Sequence, residues 1–144
     1  MIVSVIIPCF NESPTISKIL DKVLENKNYN YEIIIVDDFS TDGTREVLKK
    51  ISKEKIQHLI LNEKNYGKGY SIRQGIKLAT GDVILIQDAD LEYDPQDYNK
   101  LLAPILENNA DIVYGSRFMG TSQKRVLYFW HTMGNVVLTF LSNM

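Results

Sequence analysis

The fold is indicated most clearly by one stretch of the chain, Val83-Ile84-Leu85-Ile86-Gln87-Asp88-Ala89-Asp90-Leu91-Glu92-Tyr93-Asp94-Pro95. Its first four residues are apolar and predict a buried strand of a parallel sheet. Asp88 and Asp90 are spaced i, i+2, which sends both side chains to the same side of an extended chain. Carboxylates held so close repel unless a cation lies between them, and hard oxygen ligands suit Mg²⁺ or Mn²⁺. Because ligands of open α/β sheets bind at the carboxyl ends of strands, the stretch predicts a metal–diphosphate site.

The same stretch has a plainer interpretation as a solvated acidic turn. Asp88-Ala89-Asp90 is a short motif that occurs often by chance. In this interpretation Asp94 only caps a helix that begins at Pro95. The ends of the other strands are needed to choose between the two.

Apolar runs and turn-rich segments alternate along the whole chain. The pattern predicts helices between the strands, one capped by Ser13 with Pro14 at its first position, one with Ile76 turned inward, and one over Pro95–Asn108. Such alternation is typical of an α/β fold, here a mostly parallel sheet with helices on both faces. The predicted strands are Ile2–Ile7, Glu32–Val36, Ile56–Leu61, Val83–Ile86 and Asp111–Gly115.

Polar residues follow four of these strands directly. Because the carboxyl ends of parallel strands meet at one edge of a sheet, they are expected along a single rim. Scattered surface charge would not have this arrangement, so the metal–diphosphate interpretation is favoured. The residues are Asn11 and Glu12, Asp37 and Asp38, Asp88 and Asp90, and Arg117.

Composition places the chain among ordinary globular proteins. It has 144 residues, 44% hydrophobic and 24% charged, which is enough for one domain with a core. A formal net charge of −2 gives no reason to expect a nucleic-acid partner. The single cysteine, Cys9, excludes an internal disulfide and reads as a small packed hydrophobe. Ile2–Pro8 is too short and too β-branched for a signal peptide, so a cytoplasmic location is expected.

The C-terminal part has a different character. Residues 112–144 contain no Asp or Glu but keep Arg117, Lys124 and Arg125, which would favour an anionic partner. The apolar, aromatic segment from Val126 to Leu141 is interrupted by Gly134-Asn135 and predicts either a core or interface helix or a helix lying on a membrane surface. The chain ends without a turn or cap, so we expect a domain truncated at its C-terminus.

Four stretches in this order resemble the family-2 glycosyltransferases of GT-A fold, which are Rossmann-like. They are Val5–Glu12, Val36–Thr44, Asp88-Ala89-Asp90 and Gly115–Phe118. Within the family the chain is most similar to the branch of dolichol-phosphate mannosyltransferases and polyprenyl-phosphate glycosyltransferases. The resemblance implies one catalytic domain over 1–144 that normally continues further, with a nucleotide-sugar-binding core at 1–116 and the start of an acceptor- and membrane-facing part at 117–144.

The resemblance also implies roles for individual residues. Asp88, Asp90 and Glu92 would hold a divalent metal, Mg²⁺ or Mn²⁺, and Glu92 stands where the family often has Gln or another ligand. Asp90 and Arg117 would be catalytic, and Arg117 and Arg125 would meet the acceptor phosphate. Lys68 and Arg73 follow the family's Asn-x-Gly-Lys-Gly pattern, although both could be surface charges at a helix start. Donor binding is implied for Pro8, Phe10, Glu12, Val36, Asp38, Lys68, Arg73, Asp88, Ala89, Asp90 and Arg117.

The activity implied is an inverting transfer of a hexose from a nucleoside-diphosphate sugar, of the UDP-glucose or GDP-mannose type, to a polyprenyl or dolichyl phosphate. The enzyme would be peripheral at the cytoplasmic membrane face. A phosphate acceptor is already ionised, so no strong base is required, and neither His58 nor His131 follows a strand on the acidic rim. A saccharide hydroxyl as acceptor would need a base.

Other classes of protein would require different motifs at these positions. A sugar-nucleotide pyrophosphorylase would need a Gly-rich loop after the first strand, where Pro8–Glu12 contains no Gly. A dinucleotide-binding oxidoreductase would need a third Gly at Ile72, and no phosphate-loop NTPase motif is present. A phosphoacceptor signalling domain would use Asp37-Asp38 but not Asp88 and Asp90. A fragment that binds the donor without turnover also stays open.

Overall fold

A computed structural model of the protein describes residues 1–51 and 54–115. Residues 1–111 form one compact unit, and 112–115 belong to a second unit whose remainder lies outside the described residues. The strands are β1 (Ile2–Cys9), β2 (Asn30–Asp37), β3 (His58–Leu61) and β4 (Val83–Ile86). The helices are α1 (Ile16–Glu25), α2 (Thr44–Lys50), α3 (Lys68–Leu78) and α4 (Tyr98–Leu106), with a 3-10 turn at Pro95–Asp97 before α4.

The four strands form one parallel sheet in the order β3-β2-β1-β4. β1 pairs with β2 from Ile2↔Asn30 to Cys9↔Asp37 and with β4 from Val3↔Val83 to Ile6↔Ile86. All strands therefore end at the same edge, and the prediction of a parallel α/β sheet is confirmed.

Helices cover both faces of the sheet, as predicted. Val3, Val5 and Ile7 alternate to one face, where they join a core with residues of α1, α2 and α4. Ile6 points to the other face and packs with Ile34 and Val36 beside the end of α3. The apolar stripe of α1 is fully buried as expected, at Ile16, Ile19, Leu20 and Val23.

Helix α3 approaches the sheet more closely than its sequence pattern suggested. A Cβ on Gly75 would lie 2.5 Å from Cγ2 of Ile6, so only glycine fits this contact. The buried face of α3 consists of Ser71 and Gly75, and Ile76 is 44% exposed. The prediction that Ile76 turns inward was wrong, because the small residue beside it faces the sheet instead.

Two helix starts differ in how well they were predicted. Helix α1 begins at Ile16 after Thr15, not at Pro14 after Ser13. The carbonyl of Glu12 accepts the N–H groups of Thr15 and Ile16, at 3.1 and 2.9 Å. Ser13 and Pro14 therefore belong to the turn before the helix. The expected cap by Asp94 is confirmed, since its Oδ1 accepts the N–H of Gln96 at 3.1 Å.

Strand β4 is less buried than an interior parallel strand would be. It lies at one edge of the described sheet, and Ile84 and Ile86 are 42% and 49% exposed. Helix α3 packs chiefly on β1 and β2, which leaves that face of β4 open. The predicted fifth strand at Asp111–Gly115 was also wrong, since these residues have no regular structure and Tyr114 is 87% exposed. A short apolar run becomes a strand only where a neighbour pairs with it.

No helix within residues 1–51 and 54–115 is both long and apolar enough to cross a membrane. The helix predicted between Val126 and Leu141 lies outside the described residues.

Candidate functional site

A pocket of about 290 Å³ opens at the carboxyl edge of the sheet. Its walls come from the residues that follow β1, β2 and β4 and from the start of α3. This is the rim on which ligands of open α/β sheets bind. The lining residues are Pro8, Cys9, Phe10, Glu12, Asp38, Asn65, Gly67, Lys68, Ser71, Asp88, Ala89 and Asp90.

The structure brings most of the predicted donor-binding residues to this pocket. It leaves two of them, Val36 and Arg73, and the predicted metal ligand Glu92 out of the lining. Val36 is fully buried in the sheet beside Ile6 and Ile34, so its side chain has no surface to offer a base. Arg73 and Glu92 are exposed and do not line the pocket. Arg117 and Arg125 lie outside the described residues. The predicted residues that do line it are Pro8, Phe10, Glu12, Asp38, Lys68, Asp88, Ala89 and Asp90.

Asp37, the last residue of β2, is fully buried and held by internal partners. Nε of Arg45 on α2 lies 2.5 Å from its Oδ2, which also accepts the N–H of Ser40 at 3.1 Å. A second nitrogen of Arg45 donates to the carbonyl of Asn62. Asp37 is thus a structural anion that ties α2 to the sheet, and it lies away from the pocket lining.

Asp38 lines the pocket, but its carboxylate is largely occupied by the loop that precedes α3. Its Oδ1 accepts the N–H of Tyr66 at 3.0 Å and the side-chain amide of Asn62 at 2.8 Å, and its Oδ2 accepts the N–H of Gly67 at 2.7 Å. Burial raises the pKa of Asp38, but these hydrogen bonds outweigh it and hold the pKa below its ordinary value. Asp38 therefore fixes the loop that carries Lys68.

The turn after β4 is tethered from beneath by Gln87, a buried residue. Its Nε2 donates to the carbonyls of Asp88, at 2.9 Å, and Tyr93, at 3.2 Å. Its Oε1 accepts the hydroxyl of Tyr98 at 2.8 Å. Leu91, inside this turn, has a φ of 64°, a conformation that non-glycine residues seldom adopt and that often accompanies function. Gln87 thus holds the backbone of the turn and does not occupy the side chains of Asp88 and Asp90, which line the pocket.

The acids of this turn face the start of α3. Oδ1 of Asp88 lies 2.6 Å from Nζ of Lys68. Asp90 is exposed, and its Oδ1 accepts the N–H of Glu92 at 3.0 Å. Within the described ranges no three His, Cys, Asp or Glu side chains are grouped closely enough to hold a metal, so Glu92 does not complete a cluster with the aspartates. Two carboxylates still fit Mg²⁺ or Mn²⁺, because such ions commonly bind one or two carboxylates and complete their shell with phosphates and water.

The turn after β1 is joined to the turn after β2. Asn11, with a φ of 57°, accepts the N–H of Thr41 and donates its own N–H to Oγ of Ser40, both at 2.9 Å. Oγ1 of Thr44 accepts the N–H of Glu12 at 2.8 Å. These contacts set Glu12 and Phe10 at the pocket, and Phe10 keeps 46% of its surface exposed there.

Cys9, also in the lining, has an almost fully buried side chain. Burial is the main cause that raises its pKa, and the nearby charge of Asp37 raises it further. The interpretation of Cys9 as a small packed hydrophobe agrees with its 4% exposure.

Several residues around the site were missed in the sequence. Asn65, Gly67 and Ser71 line the pocket. The Asn-x-Gly-Lys-Gly pattern was a signal that could have found Asn65 and Gly67, whereas Ser71 lies beyond it. Gln87 and Arg45 were also missed; Gln87 holds the turn after β4, and Arg45 pairs with the buried Asp37. Nothing in their local sequence indicates these roles, because the partners of Gln87 and Arg45 are set by tertiary packing.

Comparison with known proteins identifies the class. The family model described as "Glycosyl transferase family 2" matches residues 4–141. The chain therefore belongs to glycosyl transferase family 2, and its parallel sheet with helices on both faces is of the GT-A type.

Two curated relatives have names that contain a polyprenyl phosphate. A dolichol-phosphate mannosyltransferase of Pyrococcus furiosus is 37% identical over 121 residues, which cover 83% of this chain and 34% of the relative. An undecaprenyl-phosphate 4-deoxy-4-formamido-L-arabinose transferase of Aeromonas hydrophila is 32% identical over 112 residues, covering 74% of this chain and 34% of the relative. These relatives support the polyprenyl-phosphate branch. The chain spans about a third of their length.

A similar solved structure is that of the mannosyltransferase PcManGT from Pyrobaculum calidifontis in complex with GDP-Man and Mn²⁺. It superposes with a TM-score of 0.56 at 32% identity and covers 61% of this chain and 27% of its own.

Proposed function

We propose that this chain carries the donor-binding part of a glycosyltransferase that moves a hexose from a nucleoside-diphosphate sugar to a polyprenyl or dolichyl phosphate with inversion. The observation that carries the proposal is the pocket itself. Eight residues named for donor binding from the sequence surround one cavity at the carboxyl edge of the sheet. Pro8 and Phe10 would contact the nucleoside, and Asp88 and Asp90 would hold the metal ion.

The charges of the pocket favour a divalent cation as part of the ligand. Its lining carries four carboxylates, those of Glu12, Asp38, Asp88 and Asp90, and Lys68 is its one cation among the described residues. A diphosphate anion approaching these carboxylates alone would be repelled. A Mg²⁺ or Mn²⁺ ion, when bound, supplies Lewis-acid stabilisation of the charge that develops on the leaving diphosphate.

The proposed lipid-phosphate acceptor does not require a general base at the site. No histidine lines the pocket in the described part of the chain, and His58 lies at the start of β3, at the opposite edge of the sheet, 3.8 Å from Glu32. A lipid phosphate is ionised at neutral pH and attacks directly, which gives a single displacement with inversion. Arg117 and Arg125 are proposed to attract that phosphate. Residues 117–144 would face the cytoplasmic surface of the membrane.

A second candidate is a nucleotide-sugar-binding segment that does not turn over alone. The chain spans 34% of each curated relative named above, which favours this possibility. Incubating the chain, and a longer form of the protein, with labelled donor and either polyprenyl phosphate or a saccharide distinguishes the cases. Product from the longer form alone identifies a binding segment, and product on the saccharide alone contradicts the lipid-phosphate acceptor.

Donor binding is tested by thermal unfolding with UDP, GDP, UDP-glucose and GDP-mannose, each with Mn²⁺ or with a chelator. A ligand at about 100 times its Kd adds about 2.7 kcal/mol to the free energy of unfolding. We expect the nucleotides of either uracil or guanine to stabilise the chain, and to do so only with Mn²⁺. Asp90→Asn should remove that effect. Asp97→Asn, in the 3-10 turn away from the pocket lining, is the matched control and should retain it. Absence of a shift with every nucleotide would contradict the proposal.

A further inference from the structure

We propose that Lys68 is an exchangeable counterion: it neutralises Asp88 in the empty pocket and moves to the diphosphate when metal and nucleotide bind. The exchange would make the two ligands bind cooperatively. This inference rests on the proposed function, because it assumes that the pocket takes a metal and a nucleoside diphosphate together.

The ion pair spans the pocket between two separate elements. Lys68 is the first residue of α3, and Asp88 follows β4. Their charged atoms are 2.6 Å apart, and the side chains are 59% and 20% exposed, respectively. Lys68 is therefore the more mobile partner, and it can leave without disturbing the core.

The backbone under Lys68 is fixed, although its side chain is not. The N–H of the preceding Gly67 donates to Asp38, and Gly67 has a φ of 86° that favours glycine. The carbonyl of Gly67 accepts the N–H groups of Tyr70 and Ser71 in the first turn of α3. An exchange would thus need only rotation of the lysine side chain about a held point.

The exchange follows from the charges that compete for Asp88. A half-exposed lysine–carboxylate pair is weak, so a divalent ion can displace the ammonium group at small cost. Once the ion is bound, it repels the ammonium group, which then needs another anion within reach. The diphosphate brought in with the metal provides one, and lysine binds phosphate well as a mobile point charge.

The proposal predicts opposite changes in two affinities of Lys68→Met. Mn²⁺ alone should bind about two- to fivefold more tightly, because it no longer displaces an ammonium group. The nucleotide in the presence of Mn²⁺ should bind about tenfold more weakly, because a charged contact to its diphosphate is lost. Without Mn²⁺, Lys68 stays on Asp88, so nucleotide binding in the absence of the ion should change little. By linkage, the factor by which the nucleotide tightens Mn²⁺ binding should then fall.

The test measures free Mn²⁺ by electron paramagnetic resonance in titrations of the full 144-residue chain, with and without GDP and with and without UDP. Lys77→Met, in the last turn of the same helix, removes an equal charge away from the pocket lining and should change neither affinity by more than about twofold. Lys68→Arg keeps the charge and should bind the nucleotide more tightly than Lys68→Met.

The two proposals fail in different ways. If Lys68→Met binds Mn²⁺ alone no more tightly than the unchanged chain, or less tightly, the counterion exchange is wrong. If it binds the nucleotide as tightly as before, the move to the diphosphate is wrong. If the unchanged chain binds Mn²⁺ but no nucleotide in either titration, the donor site itself is refuted and the exchange with it.

Discussion

The ends of β2 and β4 each carry two aspartates at the same edge of one sheet, yet their surroundings differ. Asp37 is fully buried against Arg45, and Asp38 is held by two backbone N–H groups and an amide. After β4 the tether from Gln87 goes to carbonyl groups of the turn. Asp88 has one half-exposed lysine, and Asp90 is exposed. The acids of β2 hold the protein together, and those of β4 remain available to a ligand.

A position at a ligand-binding edge therefore does not by itself make a carboxylate a ligand. What matters is whether the protein already supplies its partners. A carboxylate has about four acceptor sites, and three hydrogen bonds to Asp38 leave little for an incoming group. We therefore assign Asp38 mainly to positioning the loop before α3 and reserve metal binding for Asp88 and Asp90.

The largest effect is expected from breaking the buried ion pair after β2. Arg45→Met would leave Asp37 as an uncompensated buried charge, at a cost of about 3–5 kcal/mol in the free energy of unfolding. Urea unfolding measures this loss. Adding Asp37→Asn should restore much of it, and the exposed Lys49→Met on the same helix should cost less than about 1 kcal/mol. A loss below about 1 kcal/mol for Arg45→Met would show that the pair is not structural.

A smaller effect, dependent on pH, is expected from Asp38. Its pKa is lower in the folded state, so its contribution to stability is complete above the unfolded value of about 3.9 and is lost as pH falls through the folded value. Asp38→Asn should cost about 1–3 kcal/mol at neutral pH, where an acceptor for the loop is lost. The difference from the unchanged chain should hold down to about pH 3.9 and shrink below it. Urea unfolding on both sides of this pH would contradict the assignment if the difference stayed constant.

The smallest effect is expected from loosening the tether under the β4 turn. Tyr98→Phe removes the hydroxyl that holds Gln87 and should cost about 1 kcal/mol. It should also weaken Mn²⁺-dependent nucleotide binding several-fold, because the turn that carries Asp88 and Asp90 is less well held.

A matched control for this change lies in the same buried aromatic cluster. The rings of Tyr31 and Tyr98 are 6.0 Å apart, and the hydroxyl of Tyr31 has no hydrogen-bond partner among the described residues. Burial raises the pKa of Tyr31 to about 12. Tyr31→Phe should leave binding unchanged and stability unchanged or higher. Equal losses of binding in both variants would mean that Tyr98 acts only through packing.

Much of the site could be predicted from the sequence, because a parallel sheet brings the ends of its strands together. Once the alternation of strands and helices was recognised, Glu12, Asp38, Asp88 and Asp90 had to lie near one another. The close approach of Gly75 to Ile6 and the edge position of β4 could not be predicted, because both depend on which strands a helix covers.

The structural roles of the two aspartates at the end of β2 could not be predicted either. Asp37 and Asp38 are adjacent and chemically identical. They differ in their tertiary partners, because Asp37 pairs with Arg45 of α2 and Asp38 accepts the N–H of Gly67 in the loop before α3. Likewise, the hydrogen bond from Tyr98 to Gln87 joins residues eleven positions apart, across a turn whose path local propensities do not predict. The side chain of Val36 is buried in the sheet, so any contact of this residue with the donor stays a prediction for its backbone.

The most direct test of this account compares Asp38→Asn with Asp90→Asn, measuring the free energy of unfolding and the binding of nucleotide with and without Mn²⁺. Asp90→Asn keeps the oxygen that accepts the N–H of Glu92, so we predict a stability change within about 0.5 kcal/mol and loss of the Mn²⁺ effect. Asp38→Asn should lose more than about 1 kcal/mol of stability while its residual nucleotide binding still responds to Mn²⁺. The reverse result, a destabilised Asp90→Asn that responds to Mn²⁺ and a stable Asp38→Asn that does not, would contradict the account.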